Sequence, residues 1–137
     1  MSIPAGLRRE VLRRAKGRCE YCRLSQRGQE AAFHVDHVVP VASGGRAVSG
    51  NLALACVSCS LRKGARRNAR DPVTGKNAPI FHPRQDVWDE HFVWRGNRVV
   101  GLSPSGRATL TLLKMNRALA VAIRKEERIH GRHPPKD

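Results

Sequence analysis

Acidic side chains are scarce in this chain. Eleven Asp and Glu stand against 26 Lys and Arg in 137 residues, a formal net charge of +15. Charge this one-sided excludes a domain built only to hold a neutral small molecule. It points to a polyanionic partner, nucleic acid first. Aromatic residues make up 4%, too few for a platform that stacks single-stranded bases. No apolar run approaches the roughly 20 residues of a membrane-spanning helix. The start, Met1-Ser2-Ile3-Pro4-Ala5-Gly6, leads into a charged segment and not an apolar one. That predicts no signal peptide and an intracellular, cytoplasmic protein. There is no internal repeat and no low-complexity linker. The length suits one domain, or one domain with an extension.

What is present is unevenly placed. Residues 1–30 carry eight Lys and Arg, residues 31–60 only Arg46, and residues 61–70 five. A basic frame thus surrounds a charge-poor middle that holds most of the chemically capable groups. A first helix is expected over about Ala5–Lys16, with Leu7, Val11, Leu12 and Ala15 on one face and Gly17 ending it. Residues 31–38 alternate like a strand. A second helix should start at Cys56–Cys59, carry the arginine cluster and stop at Asp71-Pro72. Beyond lie a turn at 71–75 and a hairpin with strands near 91–95 and 98–102 about Gly96-Asn97. A helix follows over 105–115, and a last one, capped by Asn116, is expected to bury Leu119, Ala122 and Ile123. The tail 131–137 is expected to be disordered.

The four cysteines form two pairs, Cys19-x-x-Cys22 and Cys56-x-x-Cys59. Two-residue spacing lets both sulfurs of a pair reach one ion, and four thiolates suit tetrahedral Zn²⁺. A single pair would leave a redox motif open; two pairs favour zinc. The 33 residues between the pairs must then be a structured excursion. A four-thiolate site is closed to substrate, so this zinc is structural and any chemistry needs a second site.

That second site is expected within Phe33-His34-Val35-Asp36-His37-Val38-Val39-Pro40. On an extended strand His34 and Asp36 share a face and His37 points away. A carboxylate that holds a metal ion beside an imidazole that takes a proton from water suits metal-assisted hydrolysis. The motif alone is weak, since histidines are common on surfaces. The full order is more specific: CxxC, Asp36-His37, Gly44-Gly45, Asn51-Leu52, CxxC, Lys63-Gly64. It resembles the HNH endonucleases over about Cys19–Arg67. The implied fold is α+β: a small zinc-braced ββα-metal core over 1–70 with an N-terminal helix. A C-terminal extension of hairpin and helices, residues 71–130, would pack on it.

The resemblance implies a metal-dependent DNA endonuclease or nickase acting on double-stranded DNA. His37 would be the general base, Asp36 a ligand of a catalytic Mg²⁺ or Mn²⁺, and Asn51 the brace of the loop behind the base. The third motif position, where the family carries His or Asn as a metal ligand, falls on Ser60. Either Ser60 coordinates, directly or through water, or His34, His82 or His91 fills the vacancy, or the site binds metal too weakly to cut. His34 ranks first of the histidines. The second helix would set Arg62, Lys63, Arg66, Arg67 and Arg70 against backbone phosphates. Two rivals remain: a zinc-stabilised DNA-binding module without activity, and an RNA-acting protein.

Overall fold

Val11 and Ala15 are buried and Leu7 half-buried on one side of α1 (Ala5–Arg14), as their spacing requires. The computed structural model describes residues 3–27 and 29–136. α1 ends two residues sooner than expected, and Gly17 then takes a left-handed φ of 69°. The chain is mixed α+β and divides into two units. One comprises residues 1–67 and 82–86, the other residues 68–81 and 87–137.

In the first unit the Cys19–Cys22 turn follows α1. It is pinned by main-chain bonds from Cys19 to Leu24 and from Glu20 to Leu54. β1 (His34–His37) pairs antiparallel with β2 (Leu52–Ala55), with Asp36 opposite Ala53 and His37 opposite Leu52. β1 is shorter than the 31–38 alternation predicts. Residues ahead of it are instead tied to Gln26, whose amide accepts from Phe33 N–H and donates to Ala31 O. All four residues of β2 are buried; Leu-Ala-Leu-Ala suits a strand packed on both faces. α2 (Val57–Lys63) follows, capped by Cys56, whose Sγ accepts from Cys59 N–H. The order β1, β2, α2 is the expected ββα core.

α2 is shorter than expected, which corrects the placement of the arginine cluster. Gly64 adopts φ 53°, a value that ends the helix. Arg66 and Arg67 therefore follow the helix, and Arg70 lies on a strand of the second unit.

In that unit β3 (Asn68–Arg70) and β4 (Asn77–Pro79) form a hairpin where the sequence signals only a turn. The turn is organised by Asp71, which accepts from Val73 N–H and Thr74 Oγ1. α3 (Trp88–His91) leads into the expected hairpin, β5 (Phe92–Arg95) and β6 (Arg98–Gly101). α4 (Pro104–Leu112) starts one residue sooner than expected and stops three sooner. Ser103 caps it, accepting from Gly106 N–H at 2.9 Å.

α5 (Ala118–Ile129) departs further. Asn116 does not cap it; its side chain bonds both the N–H (2.7 Å) and the C=O (2.8 Å) of Val99. Leu119 and Ala122 are exposed and Ile123 half-buried, while Ala120, Arg124 and Glu127 face inward. Arg124 Nη2 donates to Met115 O at 2.7 Å and its guanidinium lies over Trp94. The sequence predicts a disordered tail, but over its described residues it is anchored at His133. His133 is buried, meets Trp94 edge-on and contacts Gly96 O at 2.9 Å. Asp137 lies outside the described residues. Among the described residues no helix is long and apolar enough to cross a membrane.

Candidate active site and metal centre

The cysteine pairs meet. Cys19 and Cys22 come from the turn after α1, Cys56 and Cys59 from the start of α2. All four Sγ atoms lie within 4.8 Å of one another and all four residues are buried. Cys22 and Cys56 Sγ are 3.7 Å apart. A tetrahedral ion with Zn–S bonds of about 2.3 Å would separate its sulfurs by about 3.8 Å. Burial pushes the Cys19 thiol up, while its neighbours' hydrogen bonds pull Cys56 far down. Four buried sulfurs at this spacing need a cation to ionise together. The cluster thus fits structural zinc.

Glu20, between the first two ligands, is also buried. Its Oε2 accepts from Leu54 N–H at 2.9 Å, and its Oε1 pairs with Arg84. The turn is so fixed to β2 on one side and to residues 82–86 on the other. Burial beside Arg14 lowers the Arg84 guanidinium to about 10.

β1 and α2 build the second site. His34 Nδ1 is 2.9 Å from Ser60 Oγ, so these two candidate ligands are brought together. Asp36 is on the same strand face, and α2 returns Lys63 beside it. Lys63 Nζ lies 3.4 Å from Asp36 Oδ2 and donates to His37 O at 3.1 Å. Burial raises the Asp36 carboxyl above the usual carboxylate range, against the pull of Lys63, His37 and His34. Asp36 Oδ2 and His37 Nε2 are buried, and neither finds a hydrogen bond among the described residues.

Asn51 is buried behind the loop that leaves His37. Its Oδ1 accepts from Val39 N–H at 2.8 Å; its Nδ2 donates to Val39 O at 3.1 Å and to Arg46 O at 3.0 Å. The same loop uses Gly45, where an added Cβ would sit 1.7 Å from Val39 O.

Residues 19–66, which span both the cysteine quartet and the Asp36–His37 site, match the family model described as HNH endonuclease. This segment is an HNH endonuclease domain. The family implies nuclease activity and a nucleic-acid substrate. No curated protein matches the chain.

Other expected site residues lie differently in this HNH domain. Lys63, expected among the phosphate-binding cations, is 1% exposed and turned toward Asp36 and His37. Helical spacing holds the reason. At about 100° per residue Cys59, Ser60 and Lys63 share the inward face, while Leu61, at 72% exposed, points out. Arg66 and Arg67 are exposed, and Arg62 is half-buried with Nε on Ser58 Oγ. His91 lies in the other unit, its Nδ1 2.6 Å from Ser103 Oγ and its ring edge-on to Phe81. His82 accepts at Nδ1 from Arg84 N–H, and burial lowers its pKa.

A divalent ion at Asp36 would find few protein ligands. The cysteine quartet is the one group of three or more His, Cys, Asp or Glu gathered closely enough among the described residues. One carboxylate, one hydroxyl and one imidazole fit a hard ion that keeps several waters or takes substrate phosphate oxygens.

Proposed function

We propose that the chain is a metal-dependent DNA endonuclease or nickase with His37 as general base. The observation that supports this most is the pair of adjacent groups at the end of β1. Asp36 Oδ2 and His37 Nε2 are both buried polar atoms without a hydrogen bond among the described residues. A buried polar atom left without a hydrogen bond costs about 1–3 kcal/mol. Asp36 Oδ2 faces the Lys63 ammonium at 3.4 Å, so the uncompensated atom is His37 Nε2, and a ligand or substrate proton there would relieve its cost.

In this reading Asp36, with Ser60 and His34, holds Mg²⁺ or Mn²⁺. When bound, the ion neutralises charge that grows on the scissile phosphate. His37 Nε2 accepts the proton of the attacking water. Lys63 fixes the main chain of His37 through its carbonyl, and Asn51 fixes the following loop. Arg62, Arg66 and Arg67 supply phosphate contacts that position duplex DNA without reading its sequence. The cysteine quartet with Zn²⁺ is scaffold.

One observation favours a second reading, a DNA-binding module without activity. Lys63 already puts a cation on Asp36, and Ser60 is a weaker ligand than the family's imidazole. Supercoiled plasmid incubated with Mg²⁺, Mn²⁺ or chelator separates the two. Metal-dependent open circles that His37→Ala abolishes support the nuclease. Gel retardation without any nicking, from a zinc-loaded protein, supports the module.

A further inference from the structure

We infer that the outer face of α1 is a second phosphate-binding surface, which holds duplex DNA against the same unit that carries Asp36 and His37. The inference rests on the nucleic-acid reading above and extends it to residues outside the family-matched segment, which begins at Cys19.

The helix has two opposed faces. Around its axis, at about 100° per residue, Arg8, Leu12, Lys16, Arg9 and Arg13 fall within an arc of about 140°. Lys16 lies just past the helix end, so its place on that arc is approximate. All five residues are exposed, Leu12 at 41%. Leu7, Val11, Arg14 and Ala15 lie on the opposite side, which packs inward. Among the described residues, Arg8, Arg9, Arg13 and Lys16 have neither an ion pair nor a side-chain hydrogen bond to another residue.

The acids of this unit are engaged elsewhere. Glu10 accepts from Ser49 Oγ at 3.0 Å and pairs with Arg14, Glu20 pairs with Arg84, Asp36 with Lys63, and Asp86 accepts from His82 N–H. Only Glu30 is left. Fourteen Lys and Arg against five Asp and Glu leave the unit at +9, and α1's outer face carries four of those charges unneutralised.

Stability does not explain the arrangement. Like charges side by side on a helix destabilise it, and Arg8 and Arg9 in the early turns oppose the helix dipole, while Arg13 in the last turn suits it. The face also lacks what an anionic membrane would want. Its apolar side is spent on the core, so no hydrophobic stripe is free to enter a bilayer. A polyanion with regularly spaced charges fits better. From Arg8 to Lys16 is about 12 Å along the axis. That distance spans roughly three phosphates of one strand at about 3.4 Å axial rise each.

The helix is also held firmly to the site hairpin. Arg14 donates to Ser49 Oγ at 2.7 Å, Ser49 O at 2.8 Å and Leu52 O at 2.5 Å. Leu52 is the β2 partner of His37. Phosphates docked on α1 are therefore in fixed register with the proposed base.

The test is fluorescence anisotropy of a labelled duplex of about 30 base pairs between roughly 50 and 200 mM salt, with zinc-loaded full-length protein. Arg8→Gln/Arg9→Gln/Arg13→Gln should weaken binding about 10- to 100-fold at roughly 100 mM salt. It should lower the slope of log K against log salt by about 2–3, close to one unit for each phosphate no longer neutralised. The melting temperature should hold or rise, because repulsion is relieved. The charge-keeping variant Arg8→Lys/Arg9→Lys/Arg13→Lys should retain the wild-type slope. Wild-type slope and affinity in the Gln variant would overturn the inference, provided Arg62→Gln/Arg66→Gln weakens binding. Preferential α1-dependent binding to phosphatidylserine vesicles would overturn it in favour of a membrane. Failure of the wild-type protein to bind duplex at all would instead sink the nucleic-acid reading itself.

Discussion

Lys63 is the residue whose position constrains the site most tightly. Its ammonium is buried between a carboxylate and a main-chain carbonyl, 3.4 Å from Asp36 Oδ2 and 3.1 Å from His37 O. Removing one partner of such a pair leaves an uncompensated buried charge. Asp36 keeps 21% of its side-chain surface, so water offsets part of that cost. Lys63→Met is expected to lower stability by about 1–3 kcal/mol. If Asp36 is a ligand of the divalent ion, the variant should regain melting temperature as Mn²⁺ is added, since a ligand that binds the folded state stabilises it. The control is Asp36→Asn/Lys63→Met, which should not respond. Equal responses of the two variants in differential scanning fluorimetry would remove Asp36 from the metal site. His37→Ala is the second residue-scale prediction. Loss of a positioned general base costs about 10²–10⁴-fold in rate, and duplex binding and zinc content should persist. Undiminished plasmid nicking by that variant would reassign the base. Most of this candidate site is legible because its residues are local in sequence: Asp36-His37 on one strand, Asn51 and Ser60 at fixed offsets. The inward turn of Lys63 is hidden as long as the basic run is read as one surface, although helix periodicity takes that member out of it.

At the scale of elements, sequence is most informative where one local rule acts alone. The Gly96-Asn97 turn places β5 and β6 within a residue of expectation. Helix ends are less legible, because they depend on partners far along the chain. α2 stops early at Gly64, and Asn116 pairs with Val99 instead of capping α5. α5 turns Arg124 inward and leaves Leu119 66% exposed, since buried acceptors and the Trp94 ring await the guanidinium. No hydrophobic pattern signals that. The β3–β4 hairpin shows in the sequence only as a turn, because its organiser is a distant ion pair. Arg107 grips Asp71 with two bonds of 2.9 Å, and this holds the Asp71 carboxyl well below its usual range. A depressed folded-state pKa contributes stability that is present above the unfolded value of about 4 and lost as pH falls through the folded one. Asp71→Asn should therefore melt below the wild type by a constant gap from about pH 7 to 5. The gap should narrow progressively below about pH 4 in thermal circular dichroism. A gap independent of pH down to about 3 would mean that the lost hydrogen bonds, and not the charge, carry the effect.

At the scale of the molecule the two ends of the excursion matter most. Residues 22 and 56 bring their sulfurs to 3.7 Å, and everything proposed for catalysis lies between or just beyond them. A first unit of about 70 residues buries a modest core. β2 contributes Leu52 to Ala55, α1 adds Val11 and Ala15, and the cysteines themselves are among the buried residues. A zinc ion on the quartet would then be part of what makes this unit fold. Structural sites of this type supply on the order of 10 kcal/mol of apparent binding free energy. Elemental analysis should give one zinc per chain. Stripping it with a chelator should raise hydrogen exchange at the amides of Cys19, Glu20, Leu54 and Cys59, whose bonds tie the turn, β2 and α2 together. Cys59→Ala should show the same pattern at physiological zinc. β5–β6, which holds no thiol, serves as the internal reference, and its protection should change least. If the stripped protein kept its exchange pattern in residues 19–24 and 52–59, the packing around the sulfurs would suffice without an ion. Asp36 and His37 would then owe their placement to the β1–β2 hairpin alone.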